Sequence, residues 1–206
     1  GERAGTVQRS TPSNTTHKEN ATASNPAVNP AQLEIAMGTN TYPRYRYRSL
    51  PSPAAGNRST AEPIYNTAVK SQQAGRLIDA IRYYQQAIQF DPAYYDAYYN
   101  LGLAETSLTN LPQALAAYEG ALAIQPDSRD ARYNFALVLK QAGYVIDSAI
   151  ELERLLVTYP NEARAHLTLG NLYAILRQPA RAREHYVKVL EIDPRNPQAP
   201  NIRDWL

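Results

Sequence analysis

Side chains that could catalyse a reaction or bind a metal are few and scattered in this sequence. Among the histidines, His17, His166 and His185, neither of the last two has a second histidine four residues on, nor an acidic residue at zinc-site spacing. The chain has no cysteine, which excludes disulfides, thiolate metal ligands and cysteine nucleophiles. It also has no glycine-rich phosphate loop and no nucleophile elbow. We therefore predict a non-enzymatic protein with no catalytic residue, no metal and no cofactor.

Several acidic residues stand where helices are expected to begin or end. Asp96 and Asp130 come at predicted helix starts, whereas Asp91 and Asp193 lie in the last turn before a proline. Carboxylates at such places cap helices or carry solvated charge more often than they act as general acids or bases. We predict these structural roles for all four.

Tyrosine and asparagine recur together in a pattern that favours polypeptide binding. The pairs Tyr65-Asn66, Tyr99-Asn100 and Tyr133-Asn134 follow one another at a constant interval of thirty-four positions. A tyrosine ring offers contact area at small entropic cost, and an asparagine amide can bind a peptide backbone as donor and acceptor. An alternative interpretation is that these tyrosines pack against neighbouring helices.

A repeat of the same period sets the elements that position these pairs. Small residues recur twenty-four and twelve positions before a proline, a large residue eight before, and a further apolar residue five before. In that order, proline last, the columns are Ala68, Gly102, Ala136, Gly170; Ala80, Ala114, Ser148, Ala182; Tyr84, Tyr118, Leu152, Tyr186; Ala87, Ala121, Leu155, Val189; and Pro92, Pro126, Pro160, Pro194.

This pattern predicts one pair of helices per repeat. Small residues let two helices cross closely, large residues one turn later fill the space between pairs, and proline ends each unit. The turn inside a pair is marked by Gly75 and Gly143 and, in the second repeat, by Asn110-Leu111-Pro112.

These columns resemble the tetratricopeptide repeat (TPR) family, which residues 98–102 and 114–122 follow closely. The third repeat departs most, with Ser148, Leu152 and Leu155, all compatible in volume. The resemblance implies an all-α, right-handed superhelical solenoid over 61–196, preceded by an extended, irregular tail and linker at 1–60. Its units are 61–94, 95–128, 129–162 and 163–196, with a capping helix starting at 197–206.

In the TPR family the first helix of each repeat lines a concave groove. The resemblance therefore implies a scaffold that binds a protein or peptide partner in this groove. Similar proteins that grip heat-shock chaperone carboxylates carry cations where this chain has Tyr65, Val69 and Asp130, so a co-chaperone role is not expected. The implied groove residues are Tyr65, Asn66, Asp96, Tyr99, Asn100, Leu103, Asp130, Tyr133, Asn134, Arg164 and Asn171.

Two alternative functions stay open. One is a bacterial envelope accessory protein, resembling TPR lipoproteins that assist secretin or pilus assembly. The other is a regulatory TPR domain of a larger enzyme. The absence of cysteine is compatible with export, and we favour a periplasmic or extracellular location slightly over a cytoplasmic one. Since the sequence begins at Gly1 and ends at Trp205-Leu206, we expect the natural chain to continue.

Residues 1–60 differ in composition from the remainder. Between Ser10 and Pro30, 14 of 21 residues are Ser, Thr, Asn or Pro, so this part buries too little apolar surface to order by itself. Asn14, Asn20 and Asn57 each begin an N-x-Ser/Thr triplet and are candidate glycosylation sites.

Two stretches of the tail alternate with period two, which indicates extended segments with two different faces. Seven basic against three acidic residues give 1–60 a charge of +4, whereas fourteen against sixteen give the remainder −2. We predict that the tail docks on the acidic solenoid of a neighbouring copy, near Asp96 and Asp130, and that this head-to-tail contact builds a ring, a filament or another larger complex. The docking residues are Leu33, Ile35, Met37, Arg44, Tyr45, Arg46, Tyr47 and Arg48.

Other classes of partner are not expected. The arginine-tyrosine run at 44–48 lacks the wider basic surface of a nucleic-acid interface. No apolar stretch approaches the ~18 residues of a membrane span, so we predict no direct membrane insertion.

Overall fold

The computed structural model describes residues 42–206, which form nine α-helices and no strand. The strongest helix contacts join consecutive helices, as in a repeat solenoid. The predicted all-α solenoid is thus confirmed. The helices are α1 (Arg58–Gln73), α2 (Leu77–Phe90), α3 (Tyr95–Ser107), α4 (Leu111–Ile124), α5 (Arg129–Gln141), α6 (Val145–Thr158), α7 (Ala163–Ile175), α8 (Pro179–Ile192) and α9 (Ala199–Trp205).

The first helix begins at Arg58, three residues before the boundary expected at 61. Asn57 is its N-cap, because its side-chain oxygen accepts a hydrogen bond from the Thr60 backbone N–H at 3.1 Å. The predictions for Asn14, Asn20, Leu33, Ile35 and Met37 lie outside the described residues.

The two helices of a repeat approach closely because small and large residues meet there. A Cβ added to Gly102 would lie 2.8 Å from the ring of Tyr118, and one added to Gly170 would lie 2.5 Å from the ring of Tyr186. Each ring therefore occupies the space that a side chain on the facing helix would need. All four members of the other small column, Ala80, Ala114, Ser148 and Ala182, are fully buried.

The serine in that column is compatible with burial because its hydroxyl is satisfied. Ser148 Oγ donates to the carbonyl oxygen of Ala136, on the partner helix of the same repeat, at 2.7 Å. A buried hydroxyl with a hydrogen-bond partner avoids the desolvation penalty of an unpaired one. The third repeat thus keeps the register of the others.

The turn between the paired helices has a left-handed residue at the same position in every repeat. Gly75 has φ +73° and Gly143 has φ +87°, whereas Thr109 and Arg177 have φ +61° and +56°. In the second repeat, predicted to turn at Asn110-Leu111-Pro112, Asn110 is the N-cap of α4, and Leu111 and Pro112 begin that helix. The left-handed residue is Thr109, one position earlier.

The last repeat is covered by the short helix α9. Ile202 is buried in the cluster that contains Tyr186 and Val189. The ring of Trp205 meets that of Tyr186 edge-on, with centroids 4.8 Å apart. No helix within 42–206 is both long and apolar enough to cross a membrane.

Enlarging Ala114 should destabilise the second repeat. Ala114 is fully buried, and overpacking a close helix crossing costs ~1–3 kcal/mol. We expect Ala114→Leu to lower the free energy of unfolding by this amount, seen as a lower urea midpoint. Ala116→Leu, at a half-buried neighbour on the same helix, should have a smaller effect. Equal midpoints for Ala114→Leu and the parent would show that Ala114 is not at a packing contact.

Replacing Thr109 by glycine should stabilise the chain. A left-handed conformation costs a non-glycine residue ~1–2 kcal/mol, more than the ~0.5–1 kcal/mol entropic cost of glycine. We expect a net gain of about 0.5–1 kcal/mol in urea unfolding. The matched control is Gly143→Thr, which should destabilise the chain. A Cβ there meets no atom within 4 Å, so only the backbone preference changes. A loss of stability in the first variant, with none in the second, would contradict this explanation.

Candidate functional site

The tyrosines and asparagines of the repeating pairs bond to each other between repeats. Asn100 Nδ2 donates to the hydroxyl of Tyr65 at 3.0 Å, and Asn134 Nδ2 donates to the hydroxyl of Tyr99 at 3.1 Å. In the last repeat Thr168 takes the place of asparagine, with its hydroxyl 3.4 Å from that of Tyr133. We call Tyr65, Tyr99, Tyr133 and these three partners the tyrosine ladder.

The ladder leaves hydrogen-bond acceptors available. The amide nitrogen of Asn100 also donates to the backbone oxygen of Asp96 at 2.8 Å, so both of its protons are used. Among residues 42–206, no side chain or backbone N–H donates to its Oδ1 atom. The asparagine therefore offers a peptide an acceptor, rather than the donor and acceptor pair expected from the sequence.

Packing also holds the ladder tyrosines in place. The ring of Tyr65 lies 4.9 Å from that of Tyr94, and the ring of Tyr99 lies 6.2 Å from that of Tyr118. Burial, with a smaller contribution from the Asp96 carboxylate, raises the pKa of Tyr65. The rings of Tyr65 and Tyr99 nevertheless stay half-exposed. The two interpretations of these tyrosines are therefore compatible, since the rings pack on helices and retain accessible surface.

On the first helices of the repeats, which carry the ladder, the ion pairs lie mainly in the last two repeats. Arg164 bonds to Glu162 at 2.9 Å and to Asp130 at 3.4 Å, and its guanidinium lies 4.8 Å from the ring centre of Tyr133. Asp96 is exposed and has no ion pair within the described range.

The remaining predicted groove residues differ in accessibility. Asn66 is exposed and Leu103 is half-buried. Asn171 is exposed, and its side-chain oxygen accepts a hydrogen bond from the Tyr186 hydroxyl at 2.8 Å. Asn171 thus helps to hold the large residue of its own repeat.

A second site is formed where residues 42–57, which we call the strap, lie on the helices of their own chain. The strap forms neither helix nor strand. It runs antiparallel to the order of the repeats: the Tyr42 hydroxyl bonds to Ile175 O at the end of α7, and the Asn57 N–H bonds to Phe90 O at the end of α2. Between these ends it contacts α4 and α6, the second helices of the two middle repeats.

Asp147, at the start of α6, accepts hydrogen bonds from three donor groups of the strap. Its side chain is fully buried. It accepts hydrogen bonds from Arg44 Nε at 3.2 Å, from a terminal guanidinium nitrogen of Arg44 at 3.1 Å, and from the backbone N–H of Tyr45 at 2.8 Å. A buried carboxylate is stable here because a cation and a backbone donor both satisfy it.

Glu119, in the middle of α4, holds the next part of the strap. One carboxylate oxygen accepts from the Tyr45 hydroxyl at 3.0 Å, and the other accepts from the backbone N–H of Arg48 at 2.7 Å. Burial is the main cause that raises the pKa of Tyr45, and the hydrogen bond to Glu119 raises it further. The tyrosine therefore donates as a neutral phenol.

Aromatic rings fill the space between these two anchors. The ring of Tyr45 meets those of Tyr47, Phe135 and Tyr144 edge-on, with centroids 5.1, 5.8 and 5.4 Å apart. Tyr47 also packs on Phe135. Arg46 stays exposed, so the predicted alternation of two faces holds for residues 45–47.

Asp91 anchors the C-terminal end of the strap. It accepts hydrogen bonds from the Gly56 N–H at 2.9 Å and from Arg58. A Cβ on Gly56 would lie 2.3 Å from Phe90 O, so only glycine fits this approach. Although burial opposes the charge, these hydrogen bonds hold the pKa of Asp91 below its usual value. Asp91 does follow directly on α2 as its C-cap residue, but it is not a solvated charge, since it is buried and paired.

The three anchoring carboxylates follow a spacing that differs from the repeat. Asp91, Glu119 and Asp147 stand at a constant interval of twenty-eight positions, six fewer than the repeat. The strap crosses the second helices diagonally. Each anchor therefore lies six residues, or about 9 Å, nearer the start of its helix than the anchor of the preceding repeat lies to the start of its own. A search at the period of the repeat therefore misses them. The shorter interval between acids is the signal that could have found them.

The structure places the arginine-tyrosine run differently from the sequence-based prediction. That prediction put the run on a neighbouring copy near Asp96 and Asp130, whereas here it lies on its own chain and bonds to Asp147 and Glu119. Asp130 pairs with Arg129 and Arg164 instead. Position along the chain explains the difference, because the strap leads directly into α1 and lies back over the second helices.

The two histidines of the last repeat meet inside it. Their Nδ1 atoms are 2.9 Å apart, His166 Nε2 bonds to Pro160 O at 3.0 Å, and His185 Nε2 lies 3.4 Å from Glu153. Burial lowers the pKa of His166. Within residues 42–206, no group of three His, Asp or Glu side chains is arranged to hold a metal ion.

Sequence models of one family match much of the repeat region. A model described as TPR repeat matches residues 73–105, and models described as tetratricopeptide repeat match 95–128 and 163–196. The last two matches span both helices of the second and of the fourth repeat. No curated protein matches the sequence.

Solved structures resemble the solenoid. A tetratricopeptide repeat protein from Parabacteroides merdae ATCC 43184 has a TM-score of 0.68 at 22% identity over 71% of this chain, which spans only 59% of that protein. A MamA protein has a TM-score of 0.67 at 20% identity, covering 70% and 79% of the two chains. For MamA from Desulfovibrio magneticus RS-1 the TM-score is 0.63 at 20% identity, covering 74% and 93%. At these identities the likeness is one of fold.

The Asp91 anchor should persist in moderate acid. The pKa of Asp91 lies below its usual 3.8, so its contribution to stability is full above that value and is lost as the pH falls through the native pKa. We expect a carboxyl-carbon NMR titration to place the midpoint below 3.8, and Arg58→Gln to raise it. Arg82→Gln, which removes an exposed partner of Asp79, is the matched control. A midpoint at or above the usual value in the unmodified chain would contradict the anchor.

Proposed function

Because this chain belongs to the tetratricopeptide repeat family, we propose that it is a non-enzymatic scaffold that binds an extended polypeptide along the tyrosine ladder. TPR domains generally act as interaction scaffolds. The observation that carries the proposal is the ladder itself, which places a tyrosine ring on the first helix of the first three repeats and an oriented asparagine amide on that of the second and third.

The ladder offers two complementary features to a peptide. The half-exposed rings of Tyr99 and Tyr133 provide apolar contact. The unused Oδ1 atom of Asn100 accepts from a backbone N–H, which favours an extended ligand whose N–H groups are not occupied in its own helix. Since the amide is already fixed by Tyr65 and Asp96, binding orders few additional side chains.

The charges beside the ladder favour one ligand polarity. Exposed Asp96 without an ion partner in the described range suits a basic ligand side chain near the second repeat. Arg164, near the last repeat, is already paired with Glu162 and Asp130. The preferred ligand therefore carries a basic side chain at the end that lies near the second repeat.

The envelope-accessory and enzyme-regulatory hypotheses stay predictions. Neither depends on a side chain within 42–206 that distinguishes it from a general scaffold. Head-to-tail assembly through the tail also stays a prediction.

Truncating the ladder should weaken peptide binding and leave the fold intact. We expect a peptide selected from a random display library to bind with ~1–2 kcal/mol less free energy, about 5- to 30-fold weaker, to Tyr99→Ala and to Tyr133→Ala. Fluorescence anisotropy measures the affinity and circular dichroism the helical content.

The matched control is Tyr83→Ala, which truncates a half-buried tyrosine of α2 outside the ladder. It should leave the affinity unchanged. Loss of helical content in the ladder variants, or equal weakening by all three substitutions, would show that the ladder is structural and that the ligand binds elsewhere.

A further inference from the structure

We propose that the groove beneath the strap also binds residues 42–48 of a second copy of this chain, so that two copies exchange these arms and form a dimer. The groove is lined by Glu119, Phe135, Tyr144 and Asp147. It is separate from the tyrosine ladder, and the proposal does not depend on peptide binding there.

The groove is built to hold an extended segment. Two buried carboxylates, those of Asp147 and Glu119, accept backbone N–H groups from Tyr45 and Arg48. Main-chain recognition of this kind fixes the register of an added segment, while side-chain pockets select its sequence.

Side-chain contacts make the groove specific for this segment. Arg44 presents two guanidinium nitrogens to the buried carboxylate of Asp147, and this charged pairing is stronger than a neutral hydrogen bond. Tyr45 and Tyr47 pack on Phe135. Every one of these contacts lies within 42–48, so the same contacts form whether the segment comes from the same chain or from another.

The strap also contains a hinge, residues 49–55, which would let the arm leave its own groove. No hydrogen bond joins the hinge to any other residue in the described range. Its residues are exposed except for half-buried Pro53. It starts at Ser49 with φ +50°, a strained conformation for serine. Short hinges under strain favour exchange of elements between copies.

The anchor at Asp91 would stay in place during exchange. Gly56 and Arg58 bond to Asp91 and lead directly into α1. This end of the hinge therefore stays fixed while residues 42–48 move. From Arg48 to Gly56 the chain spans at most about 28 Å. Reciprocal exchange fills both grooves in a closed dimer, which is the smallest assembly that does so.

A pair of complementary variants tests the exchange with weakened competition from the arm of the same chain. The groove variant, Glu119→Lys with Asp147→Lys, keeps an intact arm but repels Arg44. The strap variant, Tyr45→Ser with Tyr47→Ser, keeps an intact groove. We expect each variant alone to be monomeric in multi-angle light scattering at micromolar concentration. Their equimolar mixture should double in mass, because the arm of the first binds the groove of the second.

The matched control carries the same charge changes elsewhere, as Asp96→Lys with Asp130→Lys. Its arm still binds its own groove at an effective concentration in the millimolar range, so its mixture with the strap variant should stay monomeric. The unmodified chain should show a dimer fraction that grows when it is concentrated toward that range.

A peptide of residues 42–50 keeps the test decisive if a variant is poorly folded. Labelled at its N-terminus, it should bind the strap variant, whose groove is intact, at least tenfold more tightly than the groove variant, with circular dichroism verifying both folds. A monomeric mixture of two folded variants, or equal peptide binding by the two variants, would overturn the proposal. Failure of peptide selection on the tyrosine ladder would leave this result unaffected.

Discussion

The close crossing of two helices in each repeat is the constraint on which the rest of this structure depends. Where Gly102 faces the ring of Tyr118, even one added carbon would overlap the ring. This contact sets the distance and register between the helices of a repeat, and stacking propagates it along the chain. The tyrosine ladder exists only because the first helices recur at a constant offset, which brings Tyr65 to Asn100 and Tyr99 to Asn134.

The second helices recur at the same regular offset, and they carry the carboxylates that bind the strap. Buried carboxylates would destabilise this surface if they were unpaired. The strap supplies the missing donors, from the backbone at Gly56, Arg48 and Tyr45. The strap is therefore a structural part of the solenoid as well as its N-terminal connection, and both roles follow from one set of hydrogen bonds.

The two faces differ in whether their hydrogen-bond acceptors already have partners. On the ladder, side chains bond to each other and leave acceptors such as Asn100 Oδ1 available. Under the strap, the carboxylates of Asp147 and Glu119 are already occupied by an extended segment of the chain. A ligand of the ladder needs only to bind, whereas any new ligand of the strap groove must displace residues 42–48. The first face thus suits recognition of other polypeptides, and the second suits exchange between identical chains.

Much of the fold could be predicted from the sequence, because helix packing repeats at one constant interval and leaves its small and large columns in register. The same period identified the Tyr-Asn pairs, since they lie at equivalent positions. Tertiary structure alone decided that the asparagine amide bonds to the tyrosine of the preceding repeat, that Thr109 takes the left-handed turn, and that Asp91 is buried. The strap groove was hidden for a geometric reason. Its anchors lie on a diagonal across stacked helices, where the interval is shorter than the repeat, and only the three-dimensional offset between helices makes that shorter interval meaningful.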